Sequence, residues 1–156
     1  YARPPPSLLQ KREGKTQSCY YVYMKPIRAI GFDYFGVVGG VLGVDEKVLG
    51  LAEKLKAQGY KIGILSNIGG MGEELMRKKR LGMFDVVLTS GDIGVSKPDK
   101  RAFDMLAEKL GVELDEMVFI DDAHSYIEPM QSYGIRGILY TKYDRLIEEL
   151  KEKKII

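Results

Sequence analysis

The chain has 156 residues, of which 45% are hydrophobic and 29% are charged, and its formal net charge is +2. This length and composition are typical of one globular domain with a substantial core. No apolar run approaches the roughly 20 residues that span a bilayer, and the single cysteine excludes a disulfide within the chain. We therefore predict a cytoplasmic protein without a membrane partner.

The charge is unevenly distributed along the chain. Residues 1–23 carry a net charge of +3, which leaves −1 for residues 24–156. Because the larger part is not basic, its charge gives no support for nucleic-acid binding. Residues 1–23 also contain a proline run and a tyrosine-rich stretch, and we predict a leader that is not native to the domain at 24–156. A partner-binding or targeting extension is the alternative.

From residue 24 onward, strand patterns alternate with helix patterns. In chain order the sequence predicts a strand at 28–33, a helix at 45–58, a strand at 61–66, a helix at 71–80, a strand at 84–88, a helix at 99–110, a strand at 117–121, a helix at 123–133, a strand at 136–140 and a helix at 143–154. This alternation indicates a parallel five-stranded sheet covered on both faces, a Rossmann-like three-layer α/β/α sandwich. Ligands of such sheets bind beyond the carboxyl ends of the strands.

Polar side chains follow the first two strands and precede the third helix. Asp33 can be a nucleophile that forms an acyl-phosphate, a metal ligand or a cap of the following turn. Ser66 and Asn67 can donate hydrogen bonds to a phosphoryl oxygen or cap the next helix. Lys97, next to the stiff Pro98, can neutralise developing charge or lie solvated at the surface.

The fourth strand ends in two adjacent carboxylates, Asp121 and Asp122. They repel each other and lose solvation at the end of an apolar strand, and a bound cation offsets both costs. Hard oxygen ligands without a nearby cysteine or histidine cluster point to Mg²⁺, whereas an exposed acidic turn is the alternative. His124, the only histidine, is placed at the rim of the site without a catalytic role.

Together these segments resemble the four motifs of the haloacid dehalogenase superfamily of Mg²⁺-dependent phosphohydrolases. The resemblance covers about residues 26–150, and the stretch 118–134 resembles the fourth motif of subfamily I members with a consecutive aspartate pair. The individual motifs are short, but their order and spacing are specific. They lie at 32–36, 65–67, 96–98 and 119–122.

The resemblance implies a role for each matching residue. The expected nucleophile is Asp33, which also binds the metal together with the backbone carbonyl of Phe35. The expected phosphoryl-binding residues are Ser66, Asn67 and Lys97, of which Lys97 also holds the nucleophile. The expected remaining metal ligands are Asp122, directly, and Asp121, directly or through water.

Two departures from the family pattern bear on activity. Phe35 stands where the family has a second aspartate, which protonates the leaving group and activates water. General acid–base help is typically worth about 10²–10⁴-fold, so activity is expected to be slow or restricted to good leaving groups. Only 32 residues separate Asp33 from Ser66, which leaves no room for a sizeable cap domain. We therefore expect an open site, which a homo-oligomer can cover.

These observations predict a Mg²⁺-dependent phosphatase that acts through Asp33 on a phosphorylated substrate of unknown identity. The alternative is a catalytically weak or inactive binding or regulatory protein, which Phe35 and the missing cap favour. A 2-haloacid dehalogenase is a third hypothesis, because that branch of the family places an aromatic residue at the position of Phe35. The acidic pair and the absence of cap residues argue against it.

Overall fold

The computed structural model describes residues 24–70, Glu74 and residues 81–156. The strands of this part are β1 Ala29–Phe32, β2 Gly39–Gly40, β3 Gly43–Val44, β4 Lys61–Ser66, β5 Val86–Thr89, β6 Met117–Asp121 and β7 Arg136–Leu139. The helices are α1 Glu46–Ala57, α2 Ser90–Ile93, α3 Lys100–Leu110, α4 His124–Ser132 and α5 Tyr143–Glu152, with 3-10 turns at Leu81–Met83 and Leu114–Glu116. Apart from Glu74, the helix predicted at 71–80 lies outside the described residues, as does the predicted leader at 1–23.

The five longer strands form one sheet in the order β5-β4-β1-β6-β7. Every neighbouring pair in this sheet is parallel, which confirms the predicted parallel α/β architecture. The chain moves from the central β1 to β4 and β5 on one side, and then returns to β6 and β7 on the other. The carboxyl end of β1 therefore lies at the point where strand order reverses, which is the usual ligand site of such sheets.

Apolar side chains cover both faces of the sheet. On one face, Ile30 and Phe32 of β1 belong to a cluster that includes buried residues of α1 and α5. On the other face, Ala29 joins a cluster with Phe103 and Leu106 of α3. Strands buried on both faces are continuously apolar, which is why β1, β4 and β6 are recognisable as short apolar runs. The predicted three-layer arrangement is confirmed.

The helix ends follow from capping residues visible in the sequence. The side chain of Asp45 accepts hydrogen bonds from the N–H groups of Lys47 and Val48 at the start of α1. Asp99 does the same for the N–H of Arg101 at the start of α3, which ends at Gly111 in the left-handed region. None of the described helices combines the length and the apolar surface that a bilayer crossing requires.

A small hairpin, β2 and β3, lies between β1 and α1 and is absent from the predicted elements. It pairs Gly39 with Val44 and Gly40 with Gly43, and its tip presents Val41 and Leu42 fully to solvent. Two-residue strands rich in glycine carry no alternating side-chain pattern, so this hairpin has no sequence signal. The fully described interval from Asp33 to Ser66 contains this hairpin, α1 and β4 and no inserted cap domain.

Candidate active site

Asp33 lies directly after β1 and is buried at the centre of the sheet edge. Its N–H donates to the carbonyl of Ile120 at 2.8 Å, which continues the pairing of β1 with β6. Its Oδ1 accepts from the N–H of Tyr34 at 2.8 Å and lies 3.0 Å from Nζ of Lys97. Both of these contacts are made by Oδ1.

Burial raises the pKa of Asp33 above its ordinary value. The ammonium of Lys97 acts in the opposite direction, whereas the carboxylate of Asp121 raises the pKa of Asp33 further. The ionised carboxylate is therefore costly in this position, and the ammonium of Lys97 offsets this cost only in part. A second cation at the site would favour the ionised form that nucleophilic attack requires.

Lys97 is buried at the same edge, with 1% of its side chain exposed. Its Nζ lies 2.5 Å from Oδ2 of Asp121 in addition to its contact with Asp33. The ammonium also lies over two aromatic rings, 5.2 Å from the centre of the Phe119 ring and 5.5 Å from that of Tyr126. The alternative of a solvated surface lysine is therefore wrong for Lys97.

The acidic pair after β6 divides into a buried and an exposed member. Asp121 is fully buried and its Oδ1 accepts from the N–H of Ala123 at 2.9 Å, so an exposed acidic turn is wrong for this residue. Asp122 is exposed at the mouth of the site. One carboxylate oxygen from each of Asp33, Asp121 and Asp122 lies within 4.8 Å of the other two. Such a set of hard oxygen donors fits a divalent cation such as Mg²⁺.

Gly36 allows the turn after β1 to approach the acidic pair. Its φ of 79° lies in the left-handed region, and a Cβ at this position would lie 2.2 Å from Oδ2 of Asp122. The positive φ favours glycine here, and a side chain at this position would also displace the carboxylate of Asp122. Its N–H donates to the carbonyl of Gly39 at 2.9 Å, which joins the turn to the hairpin.

Ser66 and Asn67 lie at the end of β4, next to β1 in the sheet. Ser66 is buried. The side chain of Asn67 donates from Nδ2 to the carbonyl of Lys97 at 2.8 Å, and its Oδ1 accepts from the N–H of Lys97 at 2.8 Å. The amide of Asn67 thus fixes the backbone of Lys97. Direct contact of Ser66 or Asn67 with a substrate stays a prediction.

Phe35 lies on the rim, and 41% of it is exposed. Its ring packs edge-on against that of Tyr34, with 5.2 Å between the ring centres, and its backbone is bridged to Gly39. A phenyl ring has no proton to give to a leaving group. Its carbonyl as a metal ligand stays a prediction.

Sequence reasoning missed two tyrosines that contact the segment around Lys97. The hydroxyl of Tyr126 accepts from Nδ2 of Asn67 at 3.3 Å, and the hydroxyl of Tyr133 donates to the carbonyl of Pro98 at 3.0 Å. Both contacts come from α4 and the residue that follows it. Tyr126 and Tyr133 are seven residues apart, a spacing that places both side chains on the same face of a helix. This spacing is the one sequence signal that could have identified them.

Comparison with known proteins places these observations in a family. A family model described as a hydrolase, haloacid dehalogenase-like hydrolase, matches residues 8–134. The phosphatase MT3486 of Mycobacterium tuberculosis (strain CDC 1551 / Oshkosh) is 36% identical over 90 residues, which are 56% of this chain and 42% of that protein. The pyrophosphatase PpaX of Bacillus cereus (strain AH820) is 31% identical over 93 residues, 58% of this chain and 43% of that protein. The chain thus spans less than half the length of these curated relatives.

Solved structures lead to the same family. A crystal structure of a protein from Corynebacterium glutamicum ATCC 13032 is similar with a TM-score of 0.68 and 30% identity, over 80% of this chain and 93% of that one. A haloacid dehalogenase-type phosphatase from Thermococcus onnurineus is similar with a TM-score of 0.59 and 29% identity, over 64% of this chain and 47% of that one. The fold, the ordered motifs and these matches show that the chain belongs to the haloacid dehalogenase-like hydrolases.

Proposed function

We propose that this hydrolase is a Mg²⁺-dependent phosphatase that forms an aspartyl-phosphate on Asp33. The observation that carries the proposal is the convergence of three carboxylates and one buried ammonium at the carboxyl end of β1. Three carboxylates would repel a phosphoryl group, and one ammonium does not balance them. A set of this composition suits a site in which a divalent cation and an anionic substrate bind together.

The residues that would hold Mg²⁺ are Asp33, Asp122, Asp121 and the carbonyl of Phe35. When bound, the ion supplies the charge that allows a phosphoryl group to approach the carboxylates. Oδ2 of Asp33 then attacks phosphorus, and the bond from phosphorus to the leaving oxygen breaks. Water then attacks phosphorus, the bond from phosphorus to the Asp33 oxygen breaks, and the proton of the water passes to solvent because Phe35 offers no base. This step releases inorganic phosphate and restores the carboxylate of Asp33.

Lys97 and Ser66 would bind the phosphoryl oxygens during both steps. The ammonium of Lys97 already touches Oδ1 of Asp33, so a phosphoryl group on Oδ2 comes within its reach. Positive charge at a buried position stabilises the transition state more strongly than it would in water, because it needs no reorganisation. The hydroxyl of Ser66, at the end of the neighbouring strand, would donate to another phosphoryl oxygen.

The substrate is expected to carry a leaving group that departs without a proton from the enzyme. Phe35 provides no acid, so aryl phosphates, acyl phosphates and phosphoanhydrides suit the site better than alkyl phosphates. The names of the two relatives, a phosphatase and a pyrophosphatase, support phosphoryl substrates in general.

Release of p-nitrophenol from p-nitrophenyl phosphate tests this proposal. Its leaving group needs little protonation, so the step that releases p-nitrophenol does not depend on the acid that Phe35 lacks. We expect turnover with Mg²⁺ and none with EDTA, and restoration of turnover when Mg²⁺ is added back. Equal turnover with EDTA would contradict the metal-dependent mechanism. Release of chloride from 2-chloropropionate in EDTA would instead favour a dehalogenase.

A catalytically weak binding protein is the second candidate, which the phenyl ring at position 35 favours. It predicts binding of Mg²⁺ and phosphate with negligible turnover of any phosphoester. Robust turnover of p-nitrophenyl phosphate by the wild-type protein would exclude it.

Replacing Phe35 with Asp is expected to raise kcat/KM for an alkyl phosphate such as glycerol phosphate by about 10- to 100-fold. The new carboxyl group can protonate the poor leaving group. The value of kcat/KM for p-nitrophenyl phosphate should change much less, because p-nitrophenolate leaves without a proton. Phe35→Asn is the matched control, because it has the size and polarity of Asp without an acidic proton. An equal gain in both variants would show that removal of the ring, and not general acid catalysis, is responsible.

A further inference from the structure

We infer that Tyr126 is a positioning residue that keeps the ammonium of Lys97 directed at the phosphoryl group. The inference rests on the proposed function, since it concerns the residue that would bind the phosphoryl oxygens. Among the described residues, two carboxylates and the faces of two aromatic rings lie around Nζ of Lys97.

The ammonium has three N–H donors, and the two carboxylates occupy two of them. The contacts with Asp33 and Asp121 therefore leave one donor for a phosphoryl oxygen. The ring faces of Phe119 and Tyr126 attract the ammonium through their quadrupoles and do not supply a lone pair that competes for this donor. They thus restrict the position of Lys97 without using its remaining hydrogen bond.

The two rings differ in their place in the fold. Phe119 is fully buried in β6 and also packs edge-on against Phe103, with 5.3 Å between the ring centres, so its ring is part of the core. Tyr126 is half-buried in the first turn of α4 and lies outside the sheet. Its ring is only partly buried where it packs against the core. Its loss should therefore expose one side of the Lys97 ammonium and leave the sheet intact.

Tyr126 also reaches Lys97 by a second route. Its hydroxyl accepts from Nδ2 of Asn67, and the same amide group is bonded to the carbonyl and the N–H of Lys97. Helix α4 thereby contacts the ammonium of Lys97 directly and the backbone of Lys97 through Asn67. The direct contact at 5.5 Å involves a desolvated charge, whereas the hydrogen bond at 3.3 Å is long. The ring is accordingly expected to matter more than the hydroxyl.

The test compares Tyr126→Leu with Tyr126→Phe in the full chain. Tyr126→Leu is expected to lower kcat/KM for p-nitrophenyl phosphate by about 10- to 30-fold, which is the effect of losing a desolvated cation–π contact. Tyr126→Phe keeps the ring and is expected to stay within about 3-fold of the wild type. Tyr60→Phe is the matched control, since the hydroxyl of Tyr60 donates to the carbonyl of Ile155 away from the site.

A second readout does not depend on turnover. The side-chain ammonium resonance of Lys97, identified by its loss in Lys97→Arg, should show an upfield ring-current shift in ¹⁵N-labelled protein. We expect this shift to persist in Tyr126→Phe and to decrease in Tyr126→Leu. A purely structural role of Tyr126 would lower stability in Tyr126→Leu without this selective change.

The outcomes separate the inference from the proposed function. An active wild type in which Tyr126→Leu matches Tyr126→Phe in kcat/KM and in the Lys97 resonance would overturn the inference alone. An inactive wild type whose Lys97 resonance still moves in Tyr126→Leu would overturn the proposed phosphatase and support the ring contact.

Discussion

Replacement of Asp33 by Asn is expected to abolish Mg²⁺-dependent release of p-nitrophenol, with a loss of about 10³-fold or more in kcat. The amide is a poor nucleophile, and it also removes one of the three carboxylates that lie together at the site. The measurement is initial rate against enzyme concentration with Mg²⁺ and with EDTA, for both proteins prepared in the same way. Retention of full Mg²⁺-dependent turnover would show that another group attacks phosphorus.

The same substitution should not lower stability in EDTA. Because burial raises the pKa of Asp33 in the folded protein, its ionisation at neutral pH opposes folding. Asp33→Asn removes this cost, so its free energy of unfolding at pH 7 is expected to be equal to or higher than that of the wild type. The difference should vanish as the pH falls below the unfolded-state pKa of an aspartate, where neither state is ionised. Urea unfolding at pH 7 and in acid measures it, and marked destabilisation at pH 7 would mean that the activity loss reports misfolding.

Replacement of Lys97 by Met is expected to lower both activity and stability. The ammonium lies 3.0 Å from Asp33 and 2.5 Å from Asp121, so its removal leaves two buried carboxylates without a counter-ion. Breaking a buried ion pair in this way typically costs about 3–5 kcal/mol. We expect a loss of this size in the free energy of unfolding, measured with urea at pH 7 in EDTA, and turnover too low to distinguish from Asp33→Asn.

Lys100→Met is the control for this substitution. Lys100 is an exposed lysine of α3 that pairs with Asp104 on the helix surface, and its loss should change stability by less than about 1 kcal/mol. The deficit of Lys97→Met should shrink at lower pH, because loss of the ammonium raises the pKa of Asp33 further and protonation then relieves the repulsion. A deficit independent of pH would mean that lost packing, rather than unbalanced charge, destabilises the variant.

The strands and most of the described helices could be predicted from the sequence because their signals are local. The apolar runs that end at Asp33 and Ser66 are buried on both faces of the sheet, and parallel strands bring their carboxyl ends to one edge. Asp45 and Asp99 are caps that act within three residues of their own position. Local rules were therefore sufficient to bring the functional residues to the same edge.

The contacts that tune the site could not be predicted, because they join segments far apart in sequence. The sequence predicts substrate binding or helix capping for Asn67, but it gives no sign that the amide of Asn67 bonds the backbone of Lys97. Tyr126 lies over the Lys97 ammonium only because α4 follows β6 at a particular angle, which periodicity does not encode. The hairpin at 39–44 depends on backbone pairing of glycines and leaves no side-chain pattern.

The central position of β1 in the sheet determines the stage of translation at which the site can form. A nascent chain that ends before β6 already carries Asp33, Ser66 and Lys97, but one edge of β1 is still unpaired. The second carboxylate partner of Lys97 and the exposed member of the acidic pair have not yet been synthesised. Chains that end before β6 should therefore lack the complete site even where their first strands have folded. Binding of Mg²⁺ and phosphate is then expected only for chains that include β6 and the acidic pair that follows it.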